Sequence, residues 1–203
     1  MPLEAVFVEA ARAAGAQAPT LTLEAVGAEL VARWSEPHRH YHNLDHLRAC
    51  LEEIDDPVTR LAVWGHDAIY DPRSPANEER SALLLTHLLH RCQVPPEVIA
   101  ESARLVRMTN GHAVEPGDER GKLLADADLN VLARPWPDYL SYVDAVRREY
   151  AHVSDELWLA GRAAILRVLL GLPAMFHLHP EREQPARANI GRELSQLNHG
   201  GDA

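Results

Sequence analysis

The sequence predicts an all-α, single-domain helical bundle, and three observations carry that expectation. Apolar residues recur at three- and four-residue spacings along nearly the whole chain, strand-like alternation is absent, and helix start and stop signals fall at the edges of the periodic stretches. The 203 residues suffice for one sizeable core, and no Pro/Gly/Ser-rich stretch divides them into two.

Residues 3–14 and 21–34 are Ala/Leu/Glu-rich amphipathic stretches, the first closed by Gly15. From Asn43 a helix runs to about Glu53 with Leu44, Leu47, Leu51 and Ile54 as its apolar stripe. Asp56 then offers an N-cap and Pro57 the first helical position of a helix extending to about Tyr70. The next helix begins near Asn77 and carries Leu84, Leu85, Leu88 and Leu89; another runs from Pro95 or Pro96 to about Met108. Thr109–Gly121 is polar, holds three glycines and a proline, and reads as the longest loop. Helices follow over 122–132, from about Pro137 to Ala151, and from Ser154 to Leu170, where Ser154 suits an N-cap and Gly171 with Pro173 marks the stop. A last helix covers 185–197. No internal repeat or low-complexity tract is present.

A net charge of −10 with basic residues scattered among acidic ones leaves no basic stripe to track a phosphate backbone, so nucleic acid is not the expected partner. A small phosphorylated substrate remains compatible, because a bound metal and an arginine set the local sign. Cys50 and Cys92 lie among leucines without a CxxC pairing and read as reduced core thiols. No basic leader and no run of about 18 apolar residues occurs, so a soluble cytoplasmic protein without a membrane span is expected. Oligomeric state stays open, since the amphipathic N-terminal helices suit either the core or a second copy.

The chemistry-bearing residues fall in three places. His42 and His46, four apart, lie about 40° from each other on one helix face. His66-Asp67 sits in a segment that is apolar all round, and burying Asp67 without a partner would cost several kcal/mol. Of the two aspartates in Asp126-Ala127-Asp128, Asp128 falls inside the arc of Leu124, Val131 and Leu132, and Asp126 towards the opposite, solvent side. Imidazoles and carboxylates in this combination suit a divalent cation in a hydrolase. The plainer readings are a buried His-Asp pair and a capping carboxylate.

Several other residues are candidates. Arg39, one turn from His42, is placed to clamp a phosphate, with a plain surface arginine as the alternative. Glu78 and Glu79 open a helix near the His-Asp site, and either orients water or a ligand histidine, or simply caps the helix. His112 in the long loop and Asp71 before Pro72 are candidates for substrate contact or a further metal. His87, His90, His152, His177, His179 and His199 have no partner pattern and read as structural or solvated.

The order Tyr41-His42-Asn43-Leu44-Asp45-His46, His66-Asp67 and Asp128 resembles the HD superfamily of metal-dependent phosphohydrolases. The segments Arg39–His42, His66–Asp71, Asn77–Ala82, Asp126–Leu129, Arg148–Tyr150 and Gly161-Arg162 resemble a bacterial branch of predicted HD-domain hydrolases, over about residues 30–195. The resemblance implies His46, His66, Asp67 and Asp128 as ligands of Mn, Fe, Co, Ni, Zn or Mg. Similarity of the Tyr-His-Asn-x-x-His segment to cyclic-nucleotide phosphodiesterases implies His42 as the proton donor. The implied activity is cleavage of a small phosphomonoester or nucleotide by a metal-activated water. Cyclic nucleotides themselves are disfavoured by the short chain and by only 5% aromatic residues. Two other readings stand beside it: a di-iron oxygenase on the same scaffold, drawing on His112 or Asp71 for a second metal, and a regulatory or binding module whose metal only stabilises the fold.

Overall fold

The first two helices, α1 (Leu3–Ala13) and α2 (Thr20–Trp34), each start after a proline and pack against each other. In this computed structural model, which describes residues 1–199 with the side chains of 198 and 199 excepted, every regular element is helical. The side chain of His199 therefore lies outside the described residues. Helix α3 (Leu44–Glu52) is capped by Asn43, whose side-chain oxygen accepts from the N–H groups of Asp45 and His46. Helix α4 (Pro57–Gly65) is capped as the sequence predicts, with Asp56 accepting from Thr59 N–H at 2.8 Å and from its hydroxyl at 2.7 Å.

Every residue of α4 from Val58 to Gly65 except Arg60 is buried, so the apolar-all-round pattern does mark a central helix. It packs against α1, α3, α5 (Asn77–Arg91), α6 (Pro96–Met108) and α7 (Glu119–Asp128). These elements share one apolar cluster holding Phe7, Leu30, Trp34, Leu61 and Trp64. A short 3-10 turn over Leu129–Ala133 leads into α8 (Trp136–Glu149), α9 (Asp155–Gly171, capped by Ser154) and, past a second 3-10 turn at Pro180–Arg182, α10 (Glu183–His199). Those elements build a second cluster around Leu132, Tyr139, Leu166, Phe176 and Ile190. Cys50 and Cys92 are buried and unpaired with each other. Among the described residues no helix is long and apolar enough to cross a membrane.

Three expectations are corrected. Helix α4 ends at Gly65, not near Tyr70, because the carbonyls beyond it find other donors: the Arg39 guanidinium takes those of Asp67 and Ala68, and the Ser81 hydroxyl takes that of Ile69. His66 and Asp67 thus stand at the turn that ends the helix. The connection 66–76 is consequently longer than 109–118, which Asp118 shortens by capping α7 through the N–H of Gly121. Asp126 is buried, not solvent-facing: the C-terminal segment covers that side of α7, and the N–H groups of His177, Leu178 and His179 donate to its carboxylate at 2.7, 2.8 and 2.9 Å.

Gly65 is fixed by space. A Cβ there would lie 2.5 Å from Leu85 Cδ2 and 3.1 Å from Leu85 Cβ, whereas one on Gly161 in α9 would meet nothing within 4 Å. Gly65→Ala is expected to destabilise by about 1–3 kcal/mol through overpacking. Gly161→Ala is expected to stabilise by up to about 1 kcal/mol through helix propensity. Opposite shifts of the two urea midpoints check the pair.

Candidate metal centre

His66 is oriented by its own turn. Its Nδ1–H donates to Val63 O at 2.8 Å, which leaves Nε2 facing inward. That nitrogen lies 3.2 Å from His46 Nε2, 3.3 Å from Asp67 Oδ2 and 3.5 Å from Asp128 Oδ1, and His46 Nε2 is 3.1 Å from the same Asp128 oxygen. Trp34 lies beside both imidazoles and fixes the back wall, with its indole N–H donating to Trp64 O. The ends of α3, α4 and α7 therefore deliver one nitrogen, one nitrogen and one oxygen to a common point.

The ligand atoms of His46, His66 and Asp128 lie within 4.8 Å of one another, which suits one ion at about 2.0–2.6 Å from each. The donor set fits a metal for a second reason. Imidazole nitrogens and carboxylate oxygens all present lone pairs here, so the cluster is neutralised only by a cation, either a proton or a metal ion. Without a metal the proton takes that part. Burial by itself would lower the His66 pKa, but the Asp67 and Asp128 carboxylates outweigh it and push it up to about 9. His46 goes the other way: burial, reinforced by the neighbouring His66 and His42, exceeds the pull of Asp128 and lowers its pKa. Asp128 is held well below the usual carboxylate range, since His66, His112 and His46 together overcome its burial.

His42 stands outside the triad, and a carboxylate from far along the chain holds it. Its Nδ1 donates to Glu149 Oε2 at 2.7 Å, and the Tyr70 hydroxyl donates to the same oxygen at 2.8 Å. The other oxygen of Glu149 accepts from the backbone N–H groups of His40, Tyr41 and His42 at 2.7, 2.7 and 3.0 Å. Despite burial, the His42 contact and these N–H groups hold the Glu149 pKa near 2. Burial would lower the His42 pKa, yet Asp67 and Glu149 raise it, so the imidazolium is favoured. The Tyr70 ring stacks on His42 at 4.3 Å, and Tyr41 lies 4.9 Å from both His42 and His46.

Glu149 was missed as a site residue in reasoning from the residues alone, although a signal existed. On α8 the positions Tyr139, Tyr142, Val146 and Glu149 share one face, so a carboxylate continues an apolar stripe. Tyr41 is steadied from the same helix, by edge contact with Tyr142 at 4.6 Å. The Tyr142 hydroxyl in turn accepts from Arg162, which is paired in a fork with Glu193 at 2.7 and 3.0 Å.

The remaining candidates divide. His112 joins the group: its Nε2 meets Asp128 Oδ2 at 2.8 Å, and it holds a left-handed backbone (φ 55°) next to Gly111, a conformation costly for histidine. Arg39 is a correction. Its side chain is fully buried, donating to Glu36 and to the carbonyls of His42, Asp67 and Ala68, so it braces the His-Asp turn and does not face a substrate. Glu79 points away, in a fork with Arg107 on the surface. Glu78 is half-buried at the start of α5 with no hydrogen bond or ion pair to the triad among the described residues. Asp71 folds back on the Arg73 N–H and lines a separate cavity of about 500 Å³ beyond Glu149.

A cavity of about 270 Å³ opens directly beside the triad, with His46 and Asp128 in its wall together with Tyr41 and Arg134. The arrangement groups residues able to hold a cation, with His42 held on a carboxylate close by and space for a small molecule beside the triad. No family model matches the chain, and no curated protein or solved structure matches it either.

Proposed function

We propose that this chain is an HD-type, metal-dependent phosphohydrolase acting on a small phosphomonoester or nucleotide. The observation that carries the reading is the convergence of His46, His66 and Asp128, flanked by Asp67, at the edge of an open cavity. Those four residues would hold the divalent ion, which when bound supplies Lewis acidity towards water and phosphoryl oxygen. The overall change is ester plus water to alcohol plus phosphate.

The protein's own groups supply positioning and a proton. His42 carries a proton on Nε2 because Glu149 holds its Nδ1–H and stabilises the imidazolium, and it donates that proton to the departing ester oxygen. Water's proton restores it. Tyr70 and the three N–H groups on Glu149 keep that carboxylate ionised and fixed, so the imidazole neither flips nor drifts. Separation of His42 from the triad, while His46 belongs to it, supports these roles in this order.

The test joins elemental analysis with a phosphatase panel of nucleotides and sugar phosphates. About one equivalent of Mn, Fe, Co, Ni, Zn or Mg and release of phosphate from at least one ester are expected. A metal-bound protein inactive across the panel rejects the reading. One observation favours a second reading, a dinuclear iron oxygenase: His112 on the far oxygen of Asp128 puts a third imidazole one carboxylate away from the first site. Two equivalents of iron with an oxo-bridged spectrum would select it. An open cavity beside the ligands counts against a purely structural metal.

A further inference from the structure

We propose that Arg134 is the residue that binds the anionic group of the substrate, and that the cavity it lines selects a small monophosphate. This deepens the phosphohydrolase reading and rests on it. Four observations converge. Arg39 is spent on backbone carbonyls, so the triad needs its cation from elsewhere, and Arg134 is the arginine in the wall of the cavity that also holds His46 and Asp128. Among the other polar groups of that wall, Asp45 pairs with Arg48 at 2.8 Å, Asn130 donates its amide to Glu53, and Asn43 caps α3, while His40 and Tyr41 add an imidazole and a hydroxyl but no fixed positive charge. The Arg134 guanidinium has no hydrogen-bond or ion-pair partner among the described residues, which leaves all its donors for a ligand.

The backbone beneath it is anchored. Arg134 N–H closes the 3-10 turn on Val131 O at 3.2 Å, its carbonyl accepts from Asn189 of α10 at 2.8 Å, and Pro135 confines it to extended geometry (ψ 159°). An anchored backbone carrying an exposed, unpaired guanidinium at the cavity rim is suited to two parallel hydrogen bonds on a phosphoryl group. Size sets the class. At about 270 Å³ the cavity falls just below the usual range of about 300–1,000 Å³ for small-molecule sites, which suits a small monophosphate. Ala49, Ala127 and Val131 supply an apolar wall for the carbon part of the ester.

The experiment is calorimetric binding of inorganic phosphate to the full chain, with and without added Mn²⁺, for the native protein and for Arg134→Ala, Arg134→Lys and Arg73→Ala. Thermal melts confirm that each variant is folded. Loss of roughly 10- to 100-fold in phosphate affinity for Arg134→Ala is expected, as for removal of a charged hydrogen bond, with partial recovery in Arg134→Lys and no change in Arg73→Ala, which alters the other cavity. Equal affinity in native protein and Arg134→Ala, dependence on Arg73 instead, or no phosphate binding by the native protein overturns the proposal. Phosphate binding that depends on Arg134 without hydrolysis of any ester keeps the anion site and removes the phosphohydrolase reading, so the two failures are distinct.

Discussion

His66→Ala is expected to reduce bound metal from about one equivalent to near zero and to bring ester hydrolysis down to the uncatalysed background. The side chain supplies the nitrogen closest to the centre of the cluster, 3.2 to 3.5 Å from His46, Asp67 and Asp128, and its orientation comes from a single bond to Val63 O. Removing it takes from Asp67 and Asp128 the imidazole that lies 3.3 and 3.5 Å from them, leaving Asp67 without its ion-pair partner in a mostly buried place. The metal-free protein responds to pH through the same residue. Its folded pKa of about 9 lies above the ordinary value of 6.5, so the stability contributed by the imidazolium is complete below about pH 6.5 and is lost as pH rises through about 9. On the proposed function, metal entry would expel that proton, so affinity for the metal is expected to increase with pH up to about 9. Elemental analysis of the variant and urea midpoints of the chelator-treated native protein between pH 6 and 10 check both parts. A native midpoint that stays flat from pH 6.5 to 10 contradicts this account.

Glu149→Ala is expected to destabilise the fold by roughly 3–5 kcal/mol, because it strands the Tyr70 hydroxyl, the His42 imidazole and three backbone N–H groups in a buried place. Glu149→Gln separates folding from chemistry. The amide oxygen retains the N–H contacts while the charge that favours the His42 imidazolium disappears, so the fold persists and kcat falls by roughly 10²- to 10⁴-fold, the range for loss of acid catalysis. Acid exposes the same carboxylate. With a folded pKa near 2 against an ordinary 4.5, its contribution is present above about pH 4.5 and is lost as pH falls through about 2. The difference in urea midpoint between native protein and Glu149→Gln should be largest between about pH 5 and 6, shrink as pH falls below about 4.5, and shrink again as pH rises through the raised pKa of His42. Equal kcat for the two proteins in metal-loaded form would remove His42 as the proton donor.

The helical fold was legible because each element announces itself locally. Asn43, Asp56 and Ser154 cap the helices they precede in sequence, and the apolar girth of 57–65 marks a central helix. The His-Asp cluster was legible for a related reason: histidines and aspartates embedded in apolar segments demand partners, and His46, His66, Asp67 and Asp128 lie against one another. What failed depended on contacts between distant segments. A helical wheel sends Asp126 to solvent because it knows nothing of residues 177–179, and spacing brings Arg39 near His42 without revealing that carbonyls already occupy it. Glu149 lies 107 positions from His42, so the stripe on α8 marks it as buried but cannot name its partner.

Helix α7 carries two aspartates with separate allegiances. Asp128 faces the imidazoles of the larger cluster, while Asp126, two positions earlier, grips three consecutive amides of the C-terminal segment. The helix is thereby a lever with a load on each arm. Displacing residues 177–179 would strip Asp126 of its three amide donors and load the same rod that sets the height of Asp128, so the approach of Asp128 to His46 and His66 is tied to the seating of the segment that precedes α10.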